Sequence, residues 1–248
     1  MPQQQKVNIL DLGRIDYKEA WDLQKLFLKE AVDIKVENRS LSDDHQLNPK
    51  HWLLLCEHPP VFTLGRSGDK AHLLLNEDGL RQKGIEFYKI NRGGDITYHG
   101  PGQVVGYPIL DLDYFFTDIH KYVRFMEEAV IKTIAEFGLK GIRIKGMSGV
   151  WLASDQGLPE RKICAVGVHL SRWVTMHGFA LNVNTQLDHF NFIVPCGIQG
   201  KAVTSIKNEL GKEVDISLVN DLLVKHFSEL FEFEAVLKKD YEKRYSGI

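Results

Sequence analysis

Cysteine is scarce in this chain: Cys56, Cys164 and Cys196 are scattered over 248 residues. An odd number so widely spaced excludes a disulfide framework and leaves free thiols. No Cys-x-x-Cys pair occurs. Cys56 and His58 in "LLLCEHPP" fall short of the roughly four clustered ligands of a structural zinc, so no metal is expected. Long apolar runs are also missing. The longest, such as "WLLLC", are strand length, against the roughly 18 to 20 uncharged residues of a spanning helix, so no membrane partner is expected. "MPQQQKVNILDLG" lacks a basic region followed by an apolar block, which makes export unexpected and a cytoplasmic location the default. The formal net charge is only −2. With no bulk positive charge and no aromatics interleaved with basic runs, a nucleic-acid partner is not indicated.

What remains is an ordinary globular composition, 44% hydrophobic and 26% charged, in a chain long enough for one large domain or two small ones. Asp16 with Glu19 forms a capping-box pattern, and Ala20, Leu23, Phe27, Ala31 and Ile34 follow at helical spacing. The polar stretch "ENRSLSDDHQLNPKH" reads as a long loop over 37–50. "HWLLLCEHPPVFTLG" reads as two strands split by Pro59-Pro60. A strand before Arg92, a glycine-rich loop through Gln103 and a strand from Val104 to Leu112 come next. In "DIHKYVRFMEEAVIKTIAEFGLKG", Val123, Met126, Val130, Ile134 and Phe137 form one helical stripe, and Gly138 suits the cap. "IRIKG", "GVWLA", "KICAVGVHLS" and "GFALNVN" read as strands, and a last helix runs around Leu218, Leu222, Phe227 and Leu230. Helices and strands are grouped rather than alternating, and no linker or repeat divides the chain. The expected class is therefore α+β, with a mixed or antiparallel sheet.

Three stretches carry chemistry. "RGGDITYHGPGQ", residues 92–103, contains four glycines, which let a backbone approach a ligand closely. Its spacing matches neither the dinucleotide fingerprint nor the phosphate-loop pattern, so a decorated hairpin and a ligand loop both remain open. In "RKICAVGVH", strand alternation puts Lys162 and Cys164 on one face. A lysine at a strand start is ordinarily solvated, but next to a thiol its charge favours thiolate. His169 and His177 are bases by type, without evident partners. In "NFIVPCGIQGKAVTSI", Phe192-Ile193-Val194 reads as a strand stopped by a proline. Cys196 is then either a small buried filler or a nucleophile on a tight turn.

These motifs, in order and spacing, resemble the octanoyltransferases of lipoate biosynthesis. "YKEAWDLQ" and "EHPPVFTLGR" extend the resemblance over residues 10–206, with 37–50 as an apparent insertion. The resemblance implies a single α+β catalytic domain over 1–248, built on the mixed, largely antiparallel sheet of the lipoate and biotin protein ligases. It implies transfer of an octanoyl or lipoyl group from acyl carrier protein to a lysine of a lipoyl domain, through a thioester on Cys196, with no cofactor. The acceptors it implies are the lipoyl domains of 2-oxoacid dehydrogenase complexes and the glycine cleavage H protein. By the same resemblance Lys162 supports the Cys196 thiolate. Acyl binding falls to Arg92, Gly93, Gly94, Asp95, Ile96, Thr97, Tyr98 and His99, to Ala165, Val166 and Gly167, and to Gly178, Phe179 and Ala180. Arg66, Arg143, Lys145, Arg161 and Arg172 are expected to form a basic patch for acidic carriers. The rivals are an ATP-dependent lipoate–protein ligase, which needs no cysteine nucleophile, and a silent acyl- or carrier-binding module.

Overall fold

The computed structural model describes residues 4–155, 157–194 and 202–238. Cys196 and the turn around it lie outside the described residues.

The chain begins with strand β1 (Lys6–Arg14) and helix α1 (Tyr17–Asn38), then β2 (His51–Glu57) and β3 (Val61–Leu64). A short helix α2 (Glu77–Lys83) leads to β4 (Glu86–Lys89), β5 (Ile96–His99) and β6 (Gln103–Ile109). Helix α3 (Ile119–Ala135) precedes four strands, β7 (Gly141–Ile144), β8 (Met147–Leu152), β9 (Arg161–Ser171) and β10 (Val174–Asn182). β11 (Ala202–Val203), α4 (Ile206–Leu210), α5 (Ile216–Phe231) and β12 (Glu234–Lys238) complete it.

The main sheet has nine strands, in the order β12-β1-β2-β6-β10-β9-β8-β7, with β11 beside β9. β1 runs parallel to both neighbours, β11 runs parallel to β9, and the other pairs are antiparallel. β4, β3 and β5 form a second, three-stranded sheet. This is the expected mixed, largely antiparallel α+β arrangement. One face of the main sheet packs under α3 and α5, and the other packs under α1. Met126, Val130 and Ile134 of α3 are fully buried, each stabilising by about 1.5–3 kcal/mol relative to exposure. Asp118 caps this helix through the His120 and Lys121 amides. Gly138, at φ 78°, ends it as Leu139 N–H reaches back to Ile134 O.

Several expectations shift. Helix α1 starts at Tyr17 as the pattern predicts, but the Asp16 carboxylate makes no capping bond. The glycine-rich loop contains a strand, β5, because Ile96-Thr97-Tyr98-His99 can pair with β3. Such pairing is a long-range choice that local glycines mask. The buried face of α5 is Val219, Leu223, His226, Phe227 and Phe231, which keeps Phe227 of the expected stripe but replaces Leu218 and Leu222 by their C-terminal neighbours, and Leu218 is 47% exposed. Phe192-Ile193-Val194 is no strand: residues Leu187–Phe192 form a 3₁₀ turn, and Ile193 makes a lone bridge to Leu73. Among the described residues, no helix is long and apolar enough to cross a membrane.

Candidate active site

The β9–β10 hairpin pairs two motifs that lie apart in sequence. Gly167 sits opposite Gly178, Val166 opposite Phe179 and Ala165 opposite Ala180. Small residues are required here because other backbones press in. A Cβ on Gly178 would stand 2.1 Å from the Gly106 carbonyl oxygen, and one on Gly167 2.8 Å from that of Gly93. The glycine-rich loop docks on the hairpin through Gly93 N–H, which donates to Val168 O at 2.8 Å.

Between loop and hairpin lies a cavity of about 120 Å³, on the order of the ~150 Å³ hole known to take up one benzene ring. Arg92, Gly94, Asp95, Ile96, Thr97 and His99 line it from the loop and β5, and the two hairpin triplets and Lys162 line it from the main sheet. Gly93 and Tyr98, the other two positions chosen from sequence, do not line it. Gly93 acts as the docking strut. Tyr98 packs its ring 5.6 Å from Phe62 and joins its hydroxyl to His189 Nδ1 at 2.8 Å.

The placement of Lys162 corrects the alternation argument. β9 pairs Cys164 with Val150 but Lys162 with Trp151, so an extra residue is taken up at Ile163. In such a bulge, adjacent residues share a face. Ile163 and Cys164 both enter the core under α3 and α5, while Lys162 turns to the cavity with Ala165. Its ammonium lies 4.6 Å from the Trp151 ring centroid.

Sequence reasoning passed over Tyr17, Gln103, Val105, Tyr107, Ser148, Asn182, Phe190 and Val203, which also line the cavity, as does His177, noted from sequence only as a base by type. His177, Gln103 and Asn182 stand inside the quoted motifs, and Tyr17 opens "YKEAWDLQ". Tyr107 carries no local signal, since only sheet pairing brings it here. Continuing the β10–β6 register from Phe179 opposite Gly106 sets His177 opposite Pro108, which has no N–H to give. The backbone of His177 turns to φ 60°, and its N–H is taken by Gln24 Oε1 at 3.0 Å.

A buried hydrogen-bond chain sets the polar end. Arg92 Nη2 donates to Thr63 O at 2.7 Å and to Thr63 Oγ1 at 3.1 Å. His99 Nδ1 meets Gln103 Oε1 at 2.8 Å, and Gln103 Nε2 donates to Asn182 Oδ1 at 2.9 Å. Since Gln103 Oε1 is an acceptor, His99 holds its proton on Nδ1. The Tyr107 hydroxyl meets His58 Nε2 at 2.8 Å, and His58 Nδ1 donates to Ile15 O. Burial pushes His99 and His177 down to about 3 and His58 and His51 down to about 4. All four are neutral at working pH.

The sign of the pH dependence follows. Unfolded histidines bind a proton near 6.5, and these four refuse it when folded, so their stabilisation is present above about pH 6.5 and lost as pH falls toward their folded values. Each can contribute a slope of up to about 1.4 kcal/mol per pH unit in that window. The urea midpoint is expected to fall steadily between about pH 6.5 and 4.5, before carboxylates begin to protonate. A flat midpoint there contradicts this burial.

The expected basic patch is smaller than the sequence suggests. Arg161 is 6% exposed and bound to both Glu209 oxygens at 2.6 and 2.7 Å. Arg143 is tied to Glu127 and Glu128. Arg66, Lys145 and Arg172 remain exposed. Cys56 and Cys164 are buried, and burial pushes both thiols well above the usual range.

The Lipoyl protein ligase A/B catalytic domain family matches residues 16–228. An octanoyltransferase of Christiangramia forsetii is 58% identical over 92% of this chain and 97% of its own length. One of Flavobacterium johnsoniae is 57% identical over 93% and 99%. Among solved structures, a bipartite lipoate protein ligase of Thermoplasma acidophilum superposes with a TM-score of 0.67 at 20% identity, over 96% of this chain and 89% of that one. A lipoate–protein ligase A bound with ATP gives 0.64 at 19%, over 96% and 90%. Likenesses at that identity support the fold alone, whereas the family match and the relatives of high identity support more: the chain belongs to the lipoyl protein ligase A/B catalytic domain family.

Proposed function

We propose that this transferase moves an octanoyl group from acyl carrier protein to a lysine ε-amine of a lipoyl domain, through a thioester on Cys196. The observation that carries the reading is the turn of Lys162 into a small cavity lined by residues from both flanks of the stretch that contains Cys196. On one side Phe190 lines the cavity, and Val194 N–H is bound to His72 O at 2.8 Å. On the other, Val203 lines it and pairs with Lys162. In the sequence, residues 195–201, with Cys196 among them, lie between these two flanks and outside the described residues.

In the first half-reaction the Cys196 thiolate attacks the donor thioester carbonyl, and the carrier thiolate leaves and takes a proton. In the second, the acceptor amine attacks the Cys196 thioester, loses a proton, and regenerates the thiolate as the amide forms. Exchange of one thioester for another is nearly isoenergetic, so no ATP is required, and amide formation drives the second step. Lys162 supports the thiolate and exchanges protons with the leaving thiol and entering amine. The loop, the hairpin triplets and Phe179 hold the chain. At about 0.8 kcal/mol per CH₂, two carbons separate octanoyl from hexanoyl by on the order of ten-fold. Lipoyl domains of 2-oxoacid dehydrogenase complexes and the glycine cleavage H protein are the acceptors, and one catalytic domain in the cytoplasm suffices.

The test is intact-mass measurement after incubation with octanoyl-acyl carrier protein in the absence of ATP. One octanoyl adduct, mapped to Cys196 and discharged by a lipoyl domain, is expected. Adduct formation or transfer only with ATP and free acid sinks the reading in favour of a ligase.

A further inference from the structure

A buried carboxylate lies across the sheet from the cavity that Lys162 lines. Glu127 of α3 is completely buried, an expensive place for a carboxylate unless it is paired. Its Oε1 accepts the Gly149 N–H at 2.9 Å. Its Oε2 accepts Arg124 Nη1 at 2.7 Å and Arg143 Nε at 3.1 Å. Gly149 needs this acceptor because neither ladder provides one. Pairing of β8 with β7 passes from Trp151 to Met147, and pairing of β8 with β9 begins at Val150. Gly149 sits between, at φ 108°, where a Cβ would stand 2.3 Å from the Cys164 carbonyl oxygen. Arg143 lies on β7 at that same interruption, so one carboxylate gathers both irregular strands.

We infer that Glu127 is a positioning residue for Lys162: by capturing the Gly149 amide it holds the register shift that places Lys162 on the cavity face. This rests on the role of Lys162 proposed above. Without the carboxylate, the buried Gly149 N–H is orphaned, and the direct relief is to close the ladder by slipping one residue. A slip of one residue exchanges the faces of a strand. Lys162 then turns to the side of Cys164, as simple alternation predicts, and Ile163 turns to the cavity. A buried ion group can be replaced by apolar residues without loss of stability. Its use at a bulge beside Lys162 therefore reads as register control.

The experiment compares Glu127→Met, which is close in shape but has no acceptor, with Glu127→Gln, which keeps one oxygen for Gly149, and with Lys162→Ala. Each folded variant is titrated for the pH midpoint of Cys196 alkylation by iodoacetamide, and kcat and KM are measured for the acyl donor. Glu127→Met is expected to raise the midpoint toward that of Lys162→Ala and to lower kcat at least ten-fold, with KM within about two-fold. Adding Glu127→Met to Lys162→Ala should cost no more than another two-fold, and Glu127→Gln should restore most of the activity. A folded Glu127→Met protein with the wild-type midpoint, or losses that multiply with those of Lys162→Ala, overturns the inference. If Glu127→Met does not fold, Glu127→Gln decides: it keeps the acceptor for Gly149 while weakening both arginine contacts, so the wild-type midpoint is expected, and a midpoint moved to that of Lys162→Ala overturns the inference. An unchanged midpoint in Lys162→Ala itself is a failure of the proposed role of Lys162, separate from any failure at Glu127.

Discussion

Cys196→Ala is expected to abolish octanoyl transfer, while Cys164→Ala is expected to leave much of it. The chemistry is unforgiving at the first position: without a thiolate there is no acyl-enzyme, and nucleophile removal in well-studied hydrolases costs on the order of 10⁴ to 10⁶ in rate. The other thiols cannot substitute. Cys164 points into the apolar core under α3 and α5, and Cys56 packs beneath α1 with its Sγ 3.5 Å from His58 Nε2. Burial raises the pKa of both thiols, which removes thiolate at working pH. Cys164→Ala removes one buried sulfur, so its expected cost is in melting temperature rather than in turnover. The check is acyl transfer to a lipoyl domain by each purified variant, together with the adduct mass. More than about one per cent of wild-type turnover by Cys196→Ala rules out the covalent route.

Lys162→Ala is expected to lower acylation at least about 100-fold, within the usual range for a lost acid–base group. A cysteine of ordinary pKa is only a few per cent thiolate at neutral pH, so a neighbouring cation raises the reactive fraction. Histidine does not take over the base role readily: His99 and His177 line the same cavity but are held neutral, with pKa near 3. Lys162→Arg separates the two parts of the role. Guanidinium keeps a charge over Trp151 but gives up no proton at working pH. The arginine variant is expected to alkylate at Cys196 faster than the alanine variant and still to fail at transfer. Iodoacetamide rates across pH, measured beside single-turnover acylation, separate these outcomes. Identical alkylation profiles for wild type and Lys162→Ala would remove Lys162 from the thiolate's support and leave His99 as the next group to examine.

Part of this protein was legible without coordinates. Helix faces at Leu23 and Phe27, or at Met126 and Val130, follow from spacing, because a helix writes its buried stripe into local sequence. The order of the motifs from "YKEAWDLQ" to "VPCGI" pointed to one family, and the match over residues 16–228 agrees. Free thiols at Cys56 and Cys164 were equally readable.

Other features exist only in three dimensions. β5 is hidden among glycines until β3 pairs with it. Tyr107 reaches the cavity because β6 lies between β2 and β10, and His177 lines it from β10 with a left-handed backbone that sequence does not announce. Arg161 and Arg143 look like free surface charge in the sequence, yet partners 48 and 16 residues away neutralise them. Lys162 is the sharpest case. Its residue type and neighbours were visible from the start, but alternation alone assigned it to the wrong face. Strand period is a local property, whereas the phase of a strand is set by where its ladder breaks. Here the break is held by a carboxylate from a helix across the core. Residue chemistry was therefore determined by sequence alone, and only the tertiary structure decided which of those residues share a cavity.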